Sequence, residues 1–181
     1  MDFVAVRRGV RDVAPLLLGI APFGLVAGVA AMNAGLTLEQ AVGMSVIVFA
    51  GAAQLAALEL IGQDAPLSVI VVTAVVINLR MMMYSASIAP YFRSLSARIR
   101  TGAAYLLTDQ AYALSVSRYR SDERIDRLGY YLGAAVAPWI VWQLTTVVGA
   151  LIQTGVPASL GLEFAVPLVF LALLVPAMED G

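Results

Sequence analysis

Long apolar runs separated by short polar stretches fill this chain. They fall near residues 13–34, 41–62, 66–90, 101–117, 129–153 and 163–177. A helix rises 1.5 Å per residue, so about 20 apolar residues cross a hydrocarbon core of about 30 Å. The pattern predicts an all-α integral membrane protein, a polytopic helical bundle of about six hydrophobic segments in one transmembrane domain over 1–181. Two segments carry polar interruptions, Gln54 with Glu59 and Asp109 with Gln110. These two are the ones expected to be broken or re-entrant, because irregular backbone at membrane depth must line a cavity or be buried in protein.

Arginines between the segments constrain topology. Arg7, Arg8 and Arg11 precede the first segment, as in a secretory signal peptide. That run is longer than a signal core and contains Pro15 and Pro22, so the N-terminus is expected to be retained, and cytoplasmic. If all six segments cross, Arg118, Arg120, Arg124 and Arg127 also lie inside, but Arg93, Arg98 and Arg100 lie outside, against the positive-inside rule. If 41–62 and 101–117 turn back instead, all ten loop arginines are cytoplasmic. Six crossings, interrupted in the polar segments, is the favoured expectation, because long apolar segments usually override one misplaced loop.

Composition then narrows the chemistry. The chain is 61% hydrophobic and 13% charged, against about 25% charged in soluble domains. Every basic residue is Arg, and the chain holds no Cys and no His. Thiolate nucleophiles, histidine-based catalytic pairs and nearly every transition-metal site are thereby excluded. No cofactor, no metal and no nucleic-acid partner is expected; the surroundings are the lipid bilayer.

Arg80 is the most telling residue, since it stands near the middle of the apolar stretch from Pro66 to Pro90. A guanidinium there costs at least about 2.5 kcal/mol and cannot escape by losing its proton. The default meaning of such a residue is a transport or ion pathway. Thr73, Arg80, Tyr84 and Ser87 share one helical stripe. Asn78 lies about 200° away on a regular helix, so it joins Arg80 only if the helix unwinds or stands inside the bundle. Thr101, Tyr105, Thr108, Tyr112 and Ser115 form a second stripe with Asp109 beside it, a plausible partner for Arg80. The hydroxyls alone more often bond back to their own helix.

Small residues add packing signals. Gly24 to Gly28 and Gly129 to Gly133 are GxxxG patterns, which let helix backbones approach within one subunit or between subunits. Ala21-Pro22-Phe23 is echoed by Ala137-Pro138-Trp139, as an internal repeat would do.

Taken together, several motifs resemble the AzlC family, the large subunit of branched-chain amino acid exporters. They are Pro15, Pro22-Phe23-Gly24, Ser45, Phe49-Ala50-Gly51-Ala52-Ala53-Gln54, Asn78-Leu79-Arg80 with Tyr84 and Ser87, Leu107-Thr108-Asp109, and Phe170-Leu171-Ala172-Leu173-Leu174-Val175-Pro176. The resemblance implies export of valine, leucine, isoleucine or analogues across the bacterial inner membrane, with a small hydrophobic AzlD-like subunit. Met81 stands where the family often has His, and Gln110 where an acid is common. The chain also stops at Gly181, where relatives usually continue, so a shortened C-terminus is expected.

A zwitterionic substrate needs a cation or helix N-terminus for its carboxylate, acceptors for its ammonium and an apolar pocket. On that basis Arg80 holds the carboxylate, Asn78 and Gln54 supply neutral partners, and Asp109 accepts from the ammonium. Phe23 contributes to the apolar pocket, Tyr84 stands one turn from Arg80, and Gly51 permits a break near Gln54. Asp109 is also the candidate for carrying a coupled proton. Two rivals remain open: a non-transporting scaffold or regulatory subunit with a structural Arg80–Asp109 pair, and an enzyme using Asp109 and Glu59 as acid and base.

Overall fold

The computed structural model describes residues 2–155. They form seven α-helices: α1 Phe3–Asn33, α2 Leu38–Val48, α3 Gly51–Gly62, α4 Leu67–Ile88, α5 Ala97–Tyr105, α6 Asp109–Ser121 and α7 Arg127–Gly155. A 3-10 turn, Ala89–Phe92, follows α4 around Pro90. The expected segment 163–177, with the motif at Phe170–Pro176, lies outside the described residues.

Local sequence explains the breaks. A capping box opens α2: the Gln40 amide donates to Thr37 Oγ1 at 3.3 Å, and the Thr37 amide to Gln40 Oε1 at 2.9 Å. The helix stops at Phe49, whose left-handed backbone (φ 33, ψ 52) sends its amide to Ser45 O. Thr108 begins α6 by accepting from the Ala111 amide at 3.2 Å. α4 contains neither Gly nor Pro and runs unbroken through Arg80.

The described chain divides into two compact units, one holding residues up to Leu18 with Val75–Ile140, the other Gly19–Ala74 with residues from Val141 on. In the first unit, α1 and α7 run parallel and close. A side chain at Gly133 would collide with the Val6 carbonyl, so glycine there permits backbone contact. α4 runs the other way: Phe92 meets the edge of Tyr131 at 5.3 Å, and Tyr91 lies under the Arg127 guanidinium at 5.1 Å. α5 departs from that end, and α6 returns to it, with Tyr119 beside Tyr91 at 4.9 Å and its hydroxyl donating to Arg127 O at 2.6 Å. The pair α5–α6 is therefore a hairpin that turns at 106–108. Its core joins Phe92, Ala103, Leu107, Ala111, Tyr119 and Tyr131.

In the second unit, the later halves of α1 and α7 again run parallel, with Gly28 against the backbone of Thr146 and Ala150. Both GxxxG patterns are thus used inside the chain. α2 and α3 form another hairpin: the site of a Gly62 side chain lies 3.9 Å from Ala34, so α3 ends where α2 begins. Ala31, Ala41 and Leu58 form the small core there.

Three helical stretches are long and apolar enough to cross a membrane, Phe3–Asn33, Leu67–Phe92 and Arg127–Gln153. Segments 41–62 and 101–117, favoured above as interrupted crossings, are each instead a pair of short helices folded back on one another. The breaks fall at Phe49–Ala50 and at 106–108, beside the polar residues and not at them, and they let the short helices fold on themselves. The element order long, short, short occurs twice, α1–α3 and α4–α6.

The hairpin brings all ten loop arginines to one end of the first unit. Arg118 pairs with Asp12 at 2.5 Å, Tyr130 donates to the same carboxylate at 2.8 Å, and Arg8 lies 3.7 Å from Asp122. Asp126 accepts from the Asp2 amide at 2.6 Å and the Gly129 amide at 3.2 Å. These bonds, that from Asp2 first, hold its carboxyl below the usual carboxylate range.

Two outcomes follow. The chain lacks cysteine, so Ser94→Cys and Ser121→Cys report topology directly, and an impermeant thiol reagent should label both from the same side of intact membranes. Labelling from opposite sides restores six crossings. For Asp126 the folded pKa is depressed, so its stabilisation is complete above the unfolded value and disappears as pH falls through the folded one. The gap in thermal midpoint between the protein and Asp126→Asn should be steady above about pH 5 and close in stronger acid.

Candidate functional site

The break before α6 places Asp109 in that helix's first turn, where the amide dipoles favour a carboxylate. Across from it, the unbroken α4 carries Arg80. The Arg80 Nη2 to Asp109 Oδ2 distance is 3.0 Å, and the two side chains are 40% and 37% exposed. One turn further along, Tyr84 stacks on Tyr112 with ring centroids 4.4 Å apart, and Tyr112 donates to Ser87 Oγ at 2.8 Å. The Arg80, Tyr84 and Ser87 stripe of α4 thus meets the Asp109 and Tyr112 face of α6.

This contact leaves two charged-group atoms without protein partners. Arg80 Nε and Asp109 Oδ1 are buried and make no hydrogen bond. One is a donor and the other an acceptor, so the pair can receive a guest offering both. Asn78 does not join them. Its Oδ1 is buried without a partner, and because α4 does not unwind, Asn78 stays about 200° around the helix from Arg80.

The second stripe is interrupted: Thr101 and Tyr105 belong to α5, whereas Tyr112 and Ser115 belong to α6, with Thr108 spent as a cap. Thr101 bonds back to Ala97 O at 3.0 Å, the ordinary fate of a helical hydroxyl.

The remaining candidates belong to the second unit. Phe23 is half-buried in α1. Gly51 opens α3, directly after the left-handed Phe49 and Ala50, and the Trp142 ring comes within 2.9 Å of where a Gly51 side chain would stand. Gln54 is fully buried, with neither amide atom hydrogen-bonded. Gln143 reaches the same break, donating to Ser45 O at 3.3 Å. Trp142, Gln143 and Thr146 were not singled out from sequence; polar groups spaced by one and four residues in an apolar helix were the available signal. Glu59 is exposed on α3.

Comparison with known proteins agrees with this architecture. The family model described as AzlC protein matches residues 15–156. "Inner membrane protein YgaZ" of Escherichia coli (strain K12) is 24% identical over 180 residues, covering 95% of this chain and 73% of that protein. An "Uncharacterized membrane protein" of Archaeoglobus fulgidus is 28% identical over 177 residues, covering 96% and 76%. Another of that description, from Helicobacter pylori (strain 26695), is 26% identical over 159 residues, covering 87% and 69%. No solved structure matches.

The ion pair yields a stability test. Arg80→Ala leaves Asp109 without its cation, and should destabilise the protein by about 1–3 kcal/mol, a buried-pair value reduced for partial exposure. Arg80→Ala with Asp109→Asn should recover much of that loss. Thermal unfolding in detergent measures both, and equal loss in the single and double variants would mean that the pair is not coupled.

Proposed function

The chain belongs to the AzlC family, and from that premise we propose that it exports branched-chain amino acids across the inner membrane of a bacterium. It does so as the large subunit of a transporter, beside a small hydrophobic AzlD-like membrane partner. As a multi-pass membrane protein with ten arginines at one end of its first unit, it has that end and its N-terminus in the cytoplasm.

One observation carries the reading. Arg80 and Asp109 form an ion pair on a membrane-spanning helix while Arg80 Nε and Asp109 Oδ1 remain buried and unmatched. A zwitterionic amino acid supplies what is missing: its carboxylate accepts from Arg80, and its ammonium donates to Asp109. Tyr84 and Tyr112 stack beside the pair and fix the facing helices. Asp109 is then also the group through which a proton is coupled to transport. Phe23, Gly51 and Gln54 lie in the second unit, where they offer apolar surface and neutral polar groups to substrate.

An apolar pocket separates substrates differing by one methylene by only about 1–3 kcal/mol. Valine, leucine, isoleucine and methionine should therefore compete with one another in efflux from proteoliposomes, while aspartate and lysine should not. Efflux should be weak with this chain alone and strong with the partner. Arg80→Lys keeps the charge but loses the planar fork, so export should fall at least tenfold at matched expression. The Arg80→Ala, Asp109→Asn protein should fold yet fail to export. Recovery of export in that double variant would instead establish Arg80–Asp109 as a structural pair outside the substrate site. Full efflux in either Arg80 single variant would remove this residue from the mechanism.

A further inference from the structure

The second unit holds a cluster of polar groups that nothing in the protein satisfies. Ser45 and Gln54 are 0% exposed, Thr146 is 1% and Trp142 is 6%. Ser45 Oγ, both amide atoms of Gln54, Trp142 Nε1 and Thr146 Oγ1 all lack hydrogen-bond partners. Local contacts place Ser45, Gln54 and Trp142 at one feature, the break between α2 and α3. Ser45 O receives the Phe49 amide, Ala50 O receives the Gln54 amide, the Trp142 ring lies on Gly51, and Gln143 donates to Ser45 O. Thr146 follows Trp142 by one turn on the same face of α7.

The kind of guest follows from the donors. Gln54 offers two N–H groups and Trp142 one, whereas Gln54 Oε1 is the one atom of the five that can only accept. The hydroxyls of Ser45 and Thr146 adapt to either role. No side chain caps α3 and no acid lies in its first turn, so the amides of Gly51, Ala52 and Ala53 keep the positive end of the helix dipole. Helical side chains lean toward the N-terminus, which carries the Gln54 amide back over that turn. A cation would face these N–H groups and is disfavoured.

We infer that the α2–α3 break is a binding site for a compact carboxylate or another small monovalent anion, held by the first turn of α3 with Gln54 and Trp142. Among the described residues of this unit the charged side chains are Glu39, Glu59 and Asp64, so the anion is held by neutral dipoles and is released readily. The cluster is closed to water, and entry requires the break to open. Phe49 is its hinge: a left-handed phenylalanine costs about 1 kcal/mol or more, which is relieved on opening. A substrate carboxylate as the guest rests on the transport reading, as a station distinct from Arg80; a free anion does not.

Tryptophan fluorescence tests the site. The chain has two tryptophans, so Trp139→Phe leaves Trp142 as the reporter. The purified full chain carrying that change is titrated at constant ionic strength with leucine, acetate, chloride and isopentylamine. A saturable change with leucine and acetate but not isopentylamine supports the site and identifies the substrate carboxylate as its guest. A change with acetate or chloride but not leucine also supports the site, with a free anion as the guest, and tells against the transport reading only at this position. Adding Gln54→Leu should weaken binding roughly tenfold or more while raising the thermal midpoint, because an unmatched buried amide is replaced by apolar volume. Absence of any saturable change with leucine, acetate and chloride, or an equal response to isopentylamine, overturns the proposal. So does unaltered anion binding in the folded Gln54→Leu protein.

Discussion

Hydrocarbon offers no hydrogen bonds, and that constraint governs the rest of this structure. A backbone break at membrane depth persists only inside protein. The chain meets the condition twice by folding two short helices against longer ones, at Phe49–Ala50 and at 106–108. Each break exposes helix ends, and each is surrounded by polar side chains that would have no place on a lipid-facing helix. Where the helices stop sets where Asp109 and Gln54 stand, one in the first turn of α6 and the other just past the first turn of α3.

The long helices provide the frame. α1 and α7 lie parallel with backbones in contact at Gly133 and Gly28, where any side chain would collide with the opposite chain. Close backbone approach replaces the hydrophobic effect as the source of packing, since lipid tails are as apolar as leucine. α4 is different. It presents Val72, Val76, Met82 and Met83 outward and stays unbroken through Arg80. Its one costly residue is tolerated because α6 delivers a carboxylate to it at 3.0 Å.

Charge is sorted as strictly as shape. Every arginine belongs to the first unit, ten of them at one end and Arg80 along α4. The described part of the second unit has no basic residue. Ionic recognition therefore resides in the first unit, and the second works with amides, hydroxyls and a helix dipole.

The sequence by itself determined the class of the protein and its most costly residues. Apolar runs of helical length, the absence of His and Cys, Arg80 within one such run and Asp109 within another were all legible, because lipid tolerates so few arrangements. The polar content of 41–62 and 101–117 marked them as irregular. What the sequence left open was whether those segments cross or return, since hydropathy measures affinity for lipid and not direction. Tertiary structure decided that through contacts between residues far apart in the chain, such as Tyr91 with Tyr119 and Gly62 with Ala34. It likewise decided that Tyr112 stacks on Tyr84 beside the Arg80–Asp109 pair, that Asn78 stands apart, and that the Trp142 ring lies on Gly51. Those relations depend on how helices rotate and turn, which no local pattern encodes.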